Sequence, residues 1–95
     1  MLKPQELFGL AHYDYGEAYF GSRGGKRFRL AREPLKDVRF IPVSERDPQD
    51  RLLATVWPEP YSYADTDPSL MTSERFMPTE EGYLEAVKWI NERTD

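Results

Sequence analysis

Gly24 and Gly25 stand side by side between two runs of strand character. Adjacent glycines supply the positive φ angles that a two-residue hairpin turn needs. Ala18-Tyr-Phe-Gly-Ser22 leads through Arg23 into the turn, and Lys26-Arg-Phe-Arg-Leu-Ala-Arg32 leaves it. In the second run Phe28 and Leu30 alternate with Arg27 and Arg29, the period-two pattern of a strand with one face on a core and one in water. A chain that contains this hairpin builds an antiparallel sheet and needs a second layer for the apolar face.

That layer is predicted at the C-terminal end. Thr79 is a good N-cap, and Glu80 and Glu81 complement the dipole of a first turn. Tyr83, Ala86, Val87 and Ile90 fall at i, i+3, i+4 and i+7, on one helical face, flanked by Leu84 and Trp89. Arg93 lies where a cation is favoured. Between hairpin and helix, residues 37–43 read as a third strand, with Pro42 confining its far end to an edge. Residues 51–57 read as a fourth, inner strand, apolar on both faces. Residues 58–78, broken by prolines at 58, 60, 68 and 78, read as a long loop with a short helical turn at 68–74 capped by Asp67. Ahead of the hairpin, residues 4–11 favour a short helix limited by Gly9, and residues 12–16 a loop. The connections between strands are too short for crossovers, so the pairing is antiparallel. The expected fold is α+β in one domain over 1–95: a short N-terminal helix, a four-stranded antiparallel sheet, a long loop, and a C-terminal helix packed on the sheet.

Composition bounds the chemistry. Ninety-five residues make a single domain with a modest core, to which the aromatics contribute disproportionately. Without cysteine there is no disulfide framework and no thiolate chemistry. No apolar run is long enough to span a membrane and the first ten residues lack a signal-peptide core, so a cytoplasmic location is expected. Residues 1–36 carry seven Lys/Arg against four Asp/Glu, whereas residues 37–95 carry six against thirteen. Such a split implies a two-faced surface where the fold keeps the halves apart.

Four stretches are candidate sites. Arg23, Lys26, Arg27 and Arg29, with Arg32, put five cations within ten residues of the hairpin. Outward arginines on a twisted ribbon can contact phosphates, and Arg23, Arg27 and Arg29 are expected to share the solvent face. Trp57-Pro-Glu-Pro-Tyr-Ser-Tyr63 has an extended, proline-stiffened backbone on which Tyr61 and Tyr63 would serve as partner-binding anchors, with Asp65 and Asp67 beside them. His12 and Asp14 offer an imidazole beside a carboxylate, but no serine stands in a nucleophile elbow. Asp65-Thr-Asp67 could open an oxygen-ligand loop, but the sixth place holds Leu70 rather than glycine, and a zinc set would lack its usual ligands. No metal and no cofactor are expected.

Glu6-Leu-Phe-Gly-Leu-Ala11 resembles the pyrophosphate loop of the GNAT acetyltransferases, a label also attached to some short bacterial proteins. Gly9 and Ala11 fit the fourth and sixth places of the loop, and Glu6 stands where the family has Gln or Arg. The resemblance would imply acetyl-CoA binding at this loop. The residues themselves favour a different expectation: a non-enzymatic module that binds a protein partner, in the manner of an accessory or inhibitor protein of a mobile element. A nucleic-acid-binding module acting through the hairpin 23–32 is the alternative.

Overall fold

The computed structural model describes residues 2–94. Four antiparallel strands, β1 (Tyr19–Arg23), β2 (Lys26–Glu33), β3 (Arg51–Pro58) and β4 (Thr72–Phe76), form one sheet in the order β1-β2-β3-β4. Helix α2 (Glu80–Thr94) packs across one face; the short α1 (Leu10–Asp14) and a 3-10 turn at Pro4–Leu7 close the same layer.

The turn between β1 and β2 falls at Gly24 and Gly25, with φ of +60° and +78°, and Arg23 pairs with Lys26 across it. Gly24 is required twice over, because a Cβ there would lie 2.2 Å from the Thr94 carbonyl oxygen at the end of α2. The hairpin tip and the helix C-terminus are thus in direct contact.

The pleat of β2 sorts its side chains. Phe28 and Leu30 face α2 and are buried, together with Leu52, Ala54 and Val56 of β3. The predicted helical stripe lies against them, with Tyr83, Ala86, Val87 and Ile90 all buried. Thr79 caps α2 by accepting the Gly82 N–H at 3.1 Å. Polar latches hold the N-terminal segment to the helix. The Tyr83 hydroxyl donates to the Pro4 carbonyl and accepts from the Gly9 N–H, while the Asn91 amide pairs with both main-chain groups of Leu2 at 2.7 and 2.9 Å.

Arg32 lies on this same buried face. Its guanidinium bonds Asp50 at 2.9 Å and Asp14 at 3.2 Å, Lys36 reaches the other Asp50 oxygen at 3.0 Å, and Arg46 lies 3.5 Å from Asp14. The network ties together the end of α1, the end of β2 and the connection leading into β3. Burial pushes the Asp50 carboxyl upward, but the hydrogen bonds and charges of Lys36 and Arg32 outweigh it and hold the group below its ordinary value.

Three expectations are corrected. Residues 37–43 form no strand. Both sides of β2 are already taken, by β1 and β3, so no partner is open beside it. The segment is pinned instead by Val38, which is buried and donates its N–H to the Asp14 carbonyl, and Phe40 and Val43 remain exposed. The fourth strand comes from the stretch expected to be loop: Thr72–Phe76 pairs with β3, from Leu52↔Phe76 to Val56↔Thr72. Only Pro68–Leu70 is helical there, with Asp67 accepting the Ser69 N–H at 2.9 Å as its cap. Helix 4–11 is divided at Phe8 and Gly9, both with positive φ, so that residues 10–14, expected to be mostly loop, make α1.

Ile90 is fully buried at the centre of the helix–sheet contact. Ile90→Ala is expected to lower unfolding stability by about 2–5 kcal/mol in denaturant titration. Because the folded pKa of Asp50 is depressed below an unfolded value of about 3.9, its contribution is present above that pH and lost as pH falls through the lower folded value. Asp50→Asn should therefore destabilise the protein by about 3 kcal/mol or more at neutral pH and flatten the acid limb of the stability–pH curve.

Candidate binding groove on the outer sheet face

The face of the sheet turned away from α2 gathers the residues that β2 does not bury. In one row Ser22 stands beside Arg27, and Arg27 beside Trp57; in the next, Phe20 stands beside Arg29, and Arg29 beside Thr55. After β3 the chain folds back over this face. Trp57 is 2% exposed and its indole N–H donates to the Tyr61 carbonyl at 2.7 Å, which fixes the returning loop against the sheet. The Tyr63 ring then lies 5.5 Å from Trp57 and 6.2 Å from Phe20 in tilted and edge arrangements favoured by aromatic quadrupoles. The Arg29 guanidinium packs over Tyr63 at 4.8 Å and Phe20 at 5.8 Å, a cation–π contact with both.

Between the loop and the sheet edge at β1 is an open groove of about 610 Å³. Phe20, Ser22, Arg27, Trp57, Ser62 and Tyr63 are among the residues that line it. Arg27 makes no ion pair among the described residues, and its Nε is buried without a hydrogen-bond partner. A guanidinium left with donors to spare in an aromatic-walled groove is suited to a carboxylate or phosphate.

The four cations expected to act together are divided by the fold. Arg27 and Arg29 share the outer face. Arg23 is on the opposite face, because residues 19, 21 and 23 of β1 point toward α2, and it donates to the Asn91 side chain at 2.9 Å. Lys26 donates to the Arg93 carbonyl at 2.8 Å, at the C-terminus of α2 where a cation is favoured. Arg32 is buried in the network described above. The two-residue turn pairs Arg23 with Lys26 and so sets it on the face of Phe28 and Leu30; the expectation that Arg23 shares a solvent face with Arg27 and Arg29 is corrected by the turn itself.

Of the four loop residues, Tyr61 is exposed and Tyr63 half-buried in the groove wall. Asp65 and Asp67 are used locally: Asp65 accepts the Ser62 hydroxyl at 2.9 Å, and Asp67 caps Pro68–Leu70. The Ser69 N–H holds the Asp67 carboxyl below its ordinary value. The sequence singles out Arg27 only as a phosphate contact of the hairpin and does not single out Phe20; the strand pairing and the returning loop bring both to the groove with Tyr63. His12 packs between the Phe8 and Tyr13 rings at 4.8 and 5.1 Å, and the neighbouring Asp14 is committed to Arg32 and Arg46 rather than to the imidazole.

A second cavity, of about 640 Å³, lies over the Arg32 network. Its arginines 32 and 46 are ion-paired with Asp14 and Asp50, Arg51 donates to the Pro48 and Asp50 carbonyls, and Arg32 Nε is buried without a hydrogen-bond partner. No set of three or more His, Cys, Asp or Glu is placed to hold a metal among the described residues, and none of their helices is long and apolar enough to cross a membrane. No family model, no curated protein and no solved structure matches the chain.

The loop's contact with Trp57 can be tested by fluorescence. With Trp89→Phe isolating the signal of Trp57, Tyr63→Ala should shift the emission to the red and lower stability by about 0.5–1.5 kcal/mol, the worth of the aromatic contacts. An unchanged emission maximum would show that Tyr63 does not cover the indole.

Proposed function

We propose that this protein is a non-enzymatic interaction module that binds a protein partner in the groove between β1 and the loop at residues 61–64. The observation that carries this reading is the convergence of Phe20, Trp57 and Tyr63 with Arg27, whose guanidinium is left without an acidic partner among the described residues. Aromatic rings and arginine are enriched among the side chains that anchor protein interfaces: the rings bury a large area at low entropic cost, and the planar guanidinium forms directional bonds. Exposed Tyr61 extends the surface beside the groove. A role as an accessory or inhibitor protein would follow if the bound partner is thereby blocked.

The charge distribution favours protein over nucleic acid. Only Arg27 and Arg29 of the hairpin face outward, while Glu81, Glu85 and Glu92 are exposed on α2 and Arg75 of the outer face is paired with Glu33. Duplex binding draws most of its affinity from phosphate neutralisation. Two contacts would give a slope of log affinity against log salt of about −1.8, too shallow for a dedicated binder.

A photo-crosslinking side chain placed at Tyr61 in cells that naturally make the protein should yield a discrete protein adduct, and the same group at Leu84 on α2 should not. DNA should not be retained at physiological salt. Absence of any adduct at position 61, or salt-steep DNA retention lost in Arg27→Ala/Arg29→Ala, would overturn this reading.

A further inference from the structure

The two edges of the sheet are built differently. Edge strands offer unpaired main-chain groups, and natural proteins guard them with charge, proline or cover. β4 carries Glu74 and Arg75, and Arg75 is engaged with Glu33 across the outer face. β1 reads Tyr-Phe-Gly-Ser before its terminal Arg23, with no acid, lysine or proline along the edge.

The register shows which groups of β1 are available. Across a two-residue turn closed by Arg23↔Lys26, the Ser22↔Arg27 and Phe20↔Arg29 pairs are the non-hydrogen-bonded ones. The N–H and C=O of Phe20 and Ser22 therefore point away from β2, into the open edge. Both residues are exposed, and neither main chain is bonded by another segment among the described residues. The groove begins at this edge: Phe20 and Ser22 form part of its wall.

Resting on the protein-binding reading above, we infer that the partner presents an extended acidic segment, which adds to the sheet as a fifth strand antiparallel or parallel to β1. Its main chain pairs with Phe20 and Ser22. Its side chains beside those two residues enter the groove. Ser22 is small, so the space between an added strand and Arg27 is open. Two strand spacings, each about 4.8 Å, separate the added backbone from that of β2, a gap that a glutamate and an arginine side chain span together. A glutamate beside Ser22 thus meets the Arg27 guanidinium, which makes no ion pair among the described residues, and an apolar residue two positions along packs against Phe20. Arg29, held by Tyr63 and Phe20, adds a second positive charge near the same groove.

The test uses the full chain and a displayed library of random 12-residue peptides. Enriched peptides should carry Glu or Asp within an alternating apolar pattern. The synthetic peptides should slow amide exchange at Phe20 and Ser22 by about tenfold or more, as a new main-chain hydrogen bond does. N-methylation at alternate peptide positions on the pairing edge should weaken binding by at least about tenfold, since it removes those bonds while keeping every side chain. Arg27→Ala should weaken the acidic peptides by a similar factor, with partial rescue by Arg27→Lys. Ser22→Pro, whose lost N–H faces solvent in the free protein, should keep the unfolding midpoint within a few degrees and abolish binding. Peptides that bind with unaltered exchange at Phe20 and Ser22, or that tolerate N-methylation in both registers, would overturn strand addition while leaving the groove as a partner site. Failure to enrich any peptide would overturn it too, with the crosslink at Tyr61 deciding the broader reading separately. A dimer in sedimentation that Ser22→Pro dissociates would show that a second copy occupies the edge, and would likewise overturn the acidic-segment assignment.

Discussion

The alternation of side chains along β2 is the constraint around which the molecule is arranged. Phe28, Leu30 and Arg32 project to one face, and Arg27 and Arg29 to the other. The inner set demands burial. The apolar pair is covered by the stripe of α2, and the arginine at the end of the same row demands acids. Asp14 and Asp50 are brought to it from elements on either side of β2 in sequence. A charge placed at the end of an apolar row costs several kcal/mol to desolvate unless it is matched, so the path of the chain around Arg32 is specified by electrostatics as well as by packing.

The outer set has the opposite consequence. Arg27 is only half-buried and makes no ion pair among the described residues, but its Nε is buried without a hydrogen-bond partner, so the face holds a donor that a ligand could satisfy. What makes that face more than a charged surface is the return of the chain after β3. Trp57 belongs to the outer row of β3 and would be exposed there but for residues 61–63, which its indole N–H holds in place. The same bond that buries Trp57 builds one wall of the groove. The structural and binding roles of this aromatic cluster are therefore hard to separate by truncation at Trp57, and are better separated at Tyr61, whose side chain is exposed.

The layers also differ in charge. Helix α2 presents acids to solvent, and the outer face of the hairpin presents arginines. The acidic excess of residues 37–95 and the basic excess of residues 1–36 are in part kept apart by this layering. The separation is incomplete, because β3 and β4 interleave with the basic hairpin in one sheet and bring Arg75 and Glu33 together.

The sequence by itself determined the elements whose signals are local. Gly24-Gly25 fixes a turn that only residues free to take positive φ can make; the β2 alternation fixes a half-buried strand; Thr79 with the Tyr83–Ile90 stripe fixes an amphipathic helix. Those three require the α+β architecture. Only the tertiary structure decided which segment completes the sheet. Residues 37–43 have the better strand pattern, but β2 has no free side, whereas Thr72–Phe76 has a weak pattern and meets the open edge of β3. Pairing is a long-range contest for main-chain partners, and residue pattern does not encode its winner. The same holds for the groove. Tyr63, Phe20 and Arg27 are far apart in sequence and acquire common surroundings only when the register of β1 on β2 and the fold-back after Trp57 are both set. Arg23 divides the two cases: its face follows from the two-residue turn, which pairs it with Lys26 on the side of Phe28, and only what it meets there, Asn91, depends on the docking of a helix more than sixty residues away.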